Sequence, residues 1–294
     1  MPNNDVIFIK LRELKNTMTP VEQMIGRFIL ENREIIPHLS VKGLARRSHT
    51  SDASVIRFCK TLGYHGYRDL IVSISAALAS DKDEQSEYTD IQPGDDLPTI
   101  LTNISLNNCK SINDTISVID HKAIEKAVDM IRRTNRIDFY GIGASGLVCM
   151  DAQQKFTRIG KICFAYTDGH SQLTAASLLT KGDVAVLISN SGDTLDILST
   201  LSVAKAKGAS IIAITRYAKS ELACQADIVL SISTPEITIR SGAMGSRIAM
   251  LNIIDILFAG VASADYKNVK KYLIETHNVL QNKHKHINWD NSSK

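Results

Sequence analysis

The stretch Leu187–Asp196, "LISNSGDTLD", brings three hydroxyls, an amide and a glycine into six residues: Ser189, Asn190, Ser191, Gly192 and Thr194. It follows the apolar run "DVAVLIS" and precedes "TLDILSTLSVAKAKG", whose spacing suits a helix. Such an exit from strand to helix places neutral donors beside the unpaired N–H groups of a helix start, and that is phosphate-binding chemistry. The helix dipole supplies the positive end, so the loop needs no lysine or arginine. A second exit, "YGIGASG" (Tyr140–Gly146), presents Ser145 with Gly141 and Gly143. Either loop alone also suits a tight turn or an N-cap, whereas two hydroxyl-bearing loops at equivalent positions point to an anion. "GIGASG" approximates a dinucleotide fingerprint, but its spacing fails and no acidic residue ends the next strand where one is required. No cofactor is expected.

Five short apolar runs, "RIDFYGIG", "KICFAY", "DVAVLIS", "SIIAIT" and "DIVLSI", alternate with helix-patterned segments from about residue 135 onward. That alternation predicts α/β architecture, a five-stranded parallel sheet flanked by helices. In such a sheet ligands gather at the carboxyl ends of the strands, where both loops lie. The apolar stretch "IAMLNIIDILFAGVA" carries Asn252 and Asp255 and is too short for a bilayer span, so it is read as a buried helix.

The first 80 residues are all-helical in pattern. Thr19 and Pro20 open one helix, and two short pieces follow, "VKGLARRS" capped by Ser40 and "DASVIRFCKTLG" capped by Ser51 and ended by Gly63. A longer helix over about Tyr67 to Ala79 closes the unit. Two short capped helices with a few residues between them form a helix-turn-helix pattern. From His38 to Arg68 six bases (Lys42, Arg46, Arg47, Arg57, Lys60, Arg68) face one acid, Asp52, in a chain whose total is only +3. Clustering of that kind marks a phosphate-backbone surface. In this geometry Ser51, Asp52, Ser54 and Val55 face base edges, Arg57 reaches a guanine or a phosphate, and Lys42, Arg46, Arg47 and Lys60 hold phosphates. The apolar spacing favours Val55 as a core residue over a contact, and a helical bundle used for dimerisation is the alternative reading of the whole segment.

The segment 81–98 holds seven acids and one base without apolar periodicity and is read as an acidic linker. The expected organisation is a DNA-binding domain over 1–80, that linker, a ligand-binding domain over 99–283 and a flexible tail over 284–294. His284 and His286 stand two apart with no third ligand nearby, so no metal is expected. Five scattered cysteines without a C-x-x-C pair, and a start lacking the features of a signal peptide, suit free thiols in the cytoplasm.

"GIGASG" together with "ISNSGDT" resembles the paired signatures of the sugar isomerase (SIS) domain, over about residues 120–265. "RFCKTLGYHGYRDL" and "RSGAMGSR" resemble segments of the RpiR-type transcriptional regulators. The resemblance implies a flavodoxin-like body that senses a phosphorylated sugar or amino sugar, joined to a head that binds operator DNA; because two-fold operators go with dimers, a homodimer or homotetramer is expected. It implies phosphate ligands Ser145, Ser189, Asn190, Ser191 and Thr194, with Gly141, Gly143 and Gly192 shaping the loops. His170, Glu236, Arg240 and Arg247 are candidates for the sugar part, and for each a structural role is the alternative. Isomerases of this fold carry a glutamate beside a Lys-His-Gly-like segment; here Glu236 is offset and Arg240-Ser241 replaces the Lys-His pair. A regulator without catalysis is therefore expected, with a phosphosugar aldose–ketose isomerase carrying an accessory helical domain as the alternative.

Overall fold

The computed structural model describes residues 6–80, 94–234 and 242–284. Among the described residues the head contains five α-helices, α1 (Val6–Leu14), α2 (Pro20–Glu31), α3 (Val41–Arg47), α4 (Asp52–Thr61) and α5 (Tyr67–Ser80), with 3-10 turns at Lys15–Thr17 and Arg33–His38. Local chemistry sets their limits. Thr19 and Glu22 form a reciprocal capping box at the start of α2, and Glu22 also accepts from the Thr61 hydroxyl at 2.7 Å, tying α2 to α4. Ser40 accepts from Gly43 N at 3.1 Å and Ser51 from Ser54 N at 3.2 Å, each cap contributing about 1 kcal/mol. Between α3 and α4 the chain turns through His49 at φ 55°, while Thr50 N returns to Ala45 O at 2.8 Å and His49 N to Arg46 O at 3.3 Å. That is a Schellman closure made without glycine. Ile7, Phe8 and Leu11 of α1 enter one core with Ile25, Ile29, Leu44, Val55, Phe58, Leu70 and Ile74.

In the body, α6 (Leu97–Val118) and α7 (His121–Arg133) lead into a sheet of β1 (Arg136–Gly141), β2 (Ile162–Tyr166), β3 (Val184–Ile188), β4 (Ser210–Arg216) and β5 (Ile228–Ile232). All four pairings are parallel and the order is β2-β1-β3-β4-β5. Alternate residues divide between two cores. Ile137, Phe139, Val186, Ile212, Ile214 and Leu230 face α8 (Ala144–Thr157) and α12 (Met244–Ala264). Tyr140, Ala185, Leu187, Ile211 and Ala213 face α9 (Gly169–Ala176), α10 (Leu195–Ala206) and α11 (Glu221–Gln225). The apolar helix α12 buries Ala249, Met250, Ile253, Ile254 and Leu257 in the first of these cores, as expected of a core helix. A last helix, α13 (Tyr266–His284), follows it.

Two readings of the sequence shift. Asp96 and Pro98, assigned to the acidic linker, belong to the start of α6: Asp96 accepts from Thr99 N at 2.9 Å as N-cap, and Pro98 occupies the first turn. Residues 6–14, left without an element, form α1.

Candidate functional site

Strands β1 and β3 are neighbours, but β1 continues through α8 to β2 on one side while β3 leads through α10 to β4 on the other. The chain therefore reverses direction across the sheet between them, and a crevice opens there at the carboxyl ends. Both hydroxyl-bearing loops end at this crevice. Ile142, Ala144, Ser145, Ile188, Ser189, Asn190, Ser191, Thr194 and Ile197 line a cleft of about 120 Å³.

Three hydroxyls meet in it. The oxygens of Ser189 and Thr194 are 2.9 Å apart, those of Ser191 and Thr194 3.4 Å, and those of Ser189 and Ser191 3.5 Å. Gly192 N donates to Ser189 Oγ at 3.2 Å and Asp193 N to Ser191 Oγ at 3.3 Å, which fixes where the oxygens stand. Thr194 is the N-cap residue of α10 but makes no side-chain cap bond, so the first N–H groups of that helix keep their positive end toward the cleft. Asn190 is 6% exposed, and neither Nδ2 nor Oδ1 of its amide has a partner. A buried amide left so costs about 1–3 kcal/mol, a cost that an occupant of the cleft would remove. Ser145 is half-buried near the start of α8, facing this cluster across the β1–β3 boundary. Neutral donors, a helix start and no carboxylate among the lining residues give the cleft a chemistry that suits an anion.

The structure brings Ser145, Ser189, Asn190, Ser191 and Thr194 together, with Gly143 at the N-cap of α8 and Gly192 inside the β3 loop. His170 is exposed in the first turn of α9, which Asp168 caps through Ser171 N at 3.0 Å, and it does not line the cleft. Glu236 and Arg240 lie outside the described residues. Sequence reasoning missed Thr215, whose buried Oγ1 has no partner, and Ser220, which caps α11 and closes against Gly192. The polar end of β4 was the available signal for Thr215; nothing in the spacing marked Ser220.

On the head, Lys42, Arg46, Arg47, Ser51, Asp52, Arg57 and Lys60 are all exposed on α3, α4 and the turn between them. Ser54 differs from the base-facing expectation, whereas Val55 takes the core position that its apolar spacing favoured. Val55 is fully buried in the head core, and Ser54 is 9% exposed with its hydroxyl 2.9 Å from Ser51 Oγ and 3.2 Å from Arg57 Nη2. Ser54 thus steadies the Arg57 guanidinium instead of reading a base. The apolar spacing of Val55 and Phe58 marked the inward side of α4, and nothing in it marked Ser54.

These features define a helix-turn-helix protein with a parallel α/β ligand-binding body. The model of the helix-turn-helix domain of the rpiR family matches residues 7–81, and that of the SIS domain matches residues 130–260. The chain is 44% identical over 278 residues to an uncharacterized HTH-type transcriptional regulator of Caldanaerobacter subterraneus subsp. tengcongensis, covering 94% of this chain and 97% of that protein. It is 35% identical to an uncharacterized HTH-type transcriptional regulator of Bacillus subtilis, over 92% of this chain and 95% of the relative. Among solved structures, Vibrio vulnificus NanR complexed with ManNAc-6P superposes with a TM-score of 0.59 at 25% identity, over 93% of this chain and 97% of that one. The chain belongs to the rpiR family of helix-turn-helix transcriptional regulators, with a SIS domain as its body.

Proposed function

We propose that the chain is a DNA-binding regulator of carbohydrate metabolism whose body senses a phosphorylated sugar or amino sugar. One observation carries the reading: three hydroxyls within 3.5 Å of one another, beside an unpartnered buried amide, at the start of α10. The phosphate of the effector sits on Ser189, Ser191, Thr194 and Ser145 and on the N–H groups of α10, with Gly143 and Gly192 giving the loops their shape. The small cleft holds that group alone, and the sugar extends outward from it, with His170, Glu236 and Arg240 as the candidates for its hydroxyl or N-acetyl groups. ManNAc-6P, bound by the NanR neighbour, is the first compound to try.

The kinship supports sensing over catalysis, since the relatives are HTH-type transcriptional regulators. Aldose–ketose interconversion needs a base held at the reacting carbons, and where isomerases of this fold carry a Lys-His pair this chain has Arg240-Ser241. In the head, Arg57 reads a base edge or a phosphate beside Ser51 and Asp52, while Lys42, Arg46, Arg47 and Lys60 anchor the backbone of the duplex. Two-fold operators go with two-fold proteins, so the working form is a homodimer or homotetramer in the cytoplasm.

Two substitutions separate the functions. Arg57→Ala is expected to weaken operator binding at least tenfold in a gel-retardation assay while leaving the thermal stabilisation by ManNAc-6P unchanged. Ser191→Ala is expected to keep operator binding and lose most of that stabilisation. Turnover of hexose or amino-sugar phosphates at a useful rate by the unmodified protein would replace the sensor reading with the isomerase one.

A further inference from the structure

Head and body meet through buried polar groups. Glu13, in the last turn of α1, is 4% exposed, and its carboxylate accepts from Ser233 Oγ at 2.9 Å. Its other oxygen lies 3.7 Å from Arg216 Nε, and Arg12 Nη2 stands 3.4 Å from the first. Arg12 itself donates to Asp114 on α6 at 2.7 Å and to Ser233 at 3.0 Å, and Lys110 lies 3.9 Å from the second oxygen of Asp114. The charged groups around Glu13 are therefore Arg12 on its own helix, Arg216 at the end of β4, and the Asp114–Lys110 pair of α6.

This joint sits beside the cleft. Arg216 N donates to Asn190 O at 3.2 Å, and Tyr217 N donates to Ile232 O at 2.8 Å, so the ends of β3, β4 and β5 are bonded in series. Asn190 lines the cleft, Arg216 is its backbone partner, and Glu13 is the ion-pair partner of Arg216. On the far side of α1, Leu11 packs in the same core as Phe58 of α4, both within 3.8 Å of where a Cβ on Gly26 would stand. The backbone bond of Asn190 with Arg216, the pairing of Arg216 with Glu13 and the core shared by α1 and α4 connect the anion cleft with the helix that carries Arg57.

The joint is built to change. Burial pushes the Glu13 carboxyl above the usual carboxylate range, although Arg12, Ser233 and Arg216 pull it down. Its two ion pairs are long beside the 2.7 Å pair of Arg12 and Asp114. A desolvated charge with loose partners contributes little net stability, yet its energy varies steeply with small displacements of those partners.

We propose that the contact of Glu13 with Arg216 and Ser233 is the element through which occupancy of the cleft reaches the DNA-binding head. An anion drawn against the β3 loop and Asn190 displaces the end of β4, and α1 moves with the altered pairing of Glu13. This rests on the anion-cleft reading above. Hydrogen exchange of the full chain tests it, with saturating ManNAc-6P and, separately, inorganic phosphate as probes. In the unmodified protein, the amides of Gly192–Leu195 gain protection and those of Val6–Leu14 change their exchange rates at least fivefold. In Glu13→Gln the protection at Gly192–Leu195 remains and the change in α1 falls below twofold; Ser233→Ala, which keeps the charge and removes the hydroxyl, gives the same loss. Protection of the cleft with α1 unmoved, or a full α1 response in both variants, overturns the joint while leaving the anion cleft standing. No protection at Gly192–Leu195 with either probe overturns the cleft reading, and the joint with it.

Discussion

Gly192→Ala is expected to lower the melting temperature by roughly 6–12 °C and to remove the response to ManNAc-6P. Gly192 has φ 72°, a left-handed conformation that costs a side-chain-bearing residue about 1–2 kcal/mol. A Cβ added there would overlap the Ser220 side chain and stand 2.9 Å from Thr215 Oγ1. Neither neighbour can yield cheaply, because Ser220 caps α11 through Ala223 N at 3.3 Å and Thr215 lies in β4. Overpacking of this kind adds about 1–3 kcal/mol, for a total near 3 kcal/mol. At ~2–4 °C per kcal/mol for a domain of this size, that gives the stated shift. The loop must also move, and with it the Gly192 N–H bond to Ser189 Oγ and the Gly192 carbonyl that accepts from Leu222 N at 3.0 Å. Gly182→Ala is the control: its φ is 99°, but a Cβ there meets nothing within 4 Å, so it loses about 1–2 kcal/mol and keeps the anion response. Calorimetry of both variants with and without ManNAc-6P checks the pair, and a Gly192→Ala protein stabilised as strongly as the unmodified one would show that the loop does not bind the effector.

What could be read from the sequence follows from how local the cause is. The caps at Thr19, Ser40 and Ser51 act within three residues, so their spacing announced the head helices and the turn between α3 and α4. The five apolar runs became the five strands because a parallel sheet buried on both faces must be apolar along its length. The hydroxyl loop was legible for the same reason: Ser189, Ser191 and Thr194 converge through one turn and the start of one helix. Non-local causes were hidden. Helix α1 buries Ile7, Phe8, Ile9, Leu11 and also Glu13, so it shows no polar face to reveal its period. The partners of Glu13 are more than 200 residues away in sequence, at Arg216 and Ser233. His170 follows the neighbouring strand and shares the same sheet edge, yet it projects from a different helix start, and the register of one loop against another is not written in either. Asp96 and Pro98 looked like linker because a capped helix start and a polar connection have the same composition.

Removing the Asp138 carboxylate tests the other large effect, in a network that shares no residue with either proposed site. Asp138 is fully buried in β1 and accepts from Arg136 Nε at 3.0 Å, Arg136 Nη2 at 2.8 Å and the Tyr140 hydroxyl at 2.9 Å. All three residues lie on one face of the strand because their spacing is two. The arrangement extends to the edge strand β2, where Phe164 lies under the Arg136 guanidinium at 5.6 Å and Tyr166 stacks on Tyr140 at 5.6 Å. Burial, and then the adjacent carboxylate, push the Tyr140 hydroxyl well above its ordinary range, so it stays protonated and must have an acceptor. Asp138→Ala takes that acceptor away, leaves a cavity and strands a partly buried guanidinium. Breaking a buried pair from one side costs about 3–5 kcal/mol, and the guanidinium's partial exposure places the cost near the lower end, about 3 kcal/mol. The expected fall in melting temperature is roughly 6–12 °C. Asp138→Asn keeps the volume and one acceptor oxygen, and is expected to lose about half as much. Below the new melting temperature, operator binding is expected to be unchanged, since the head has its own core. An Asp138→Ala protein as stable as the parent would mean that Arg136 and Tyr140 find water, and that the β1–β2 edge is held by its ring contacts alone.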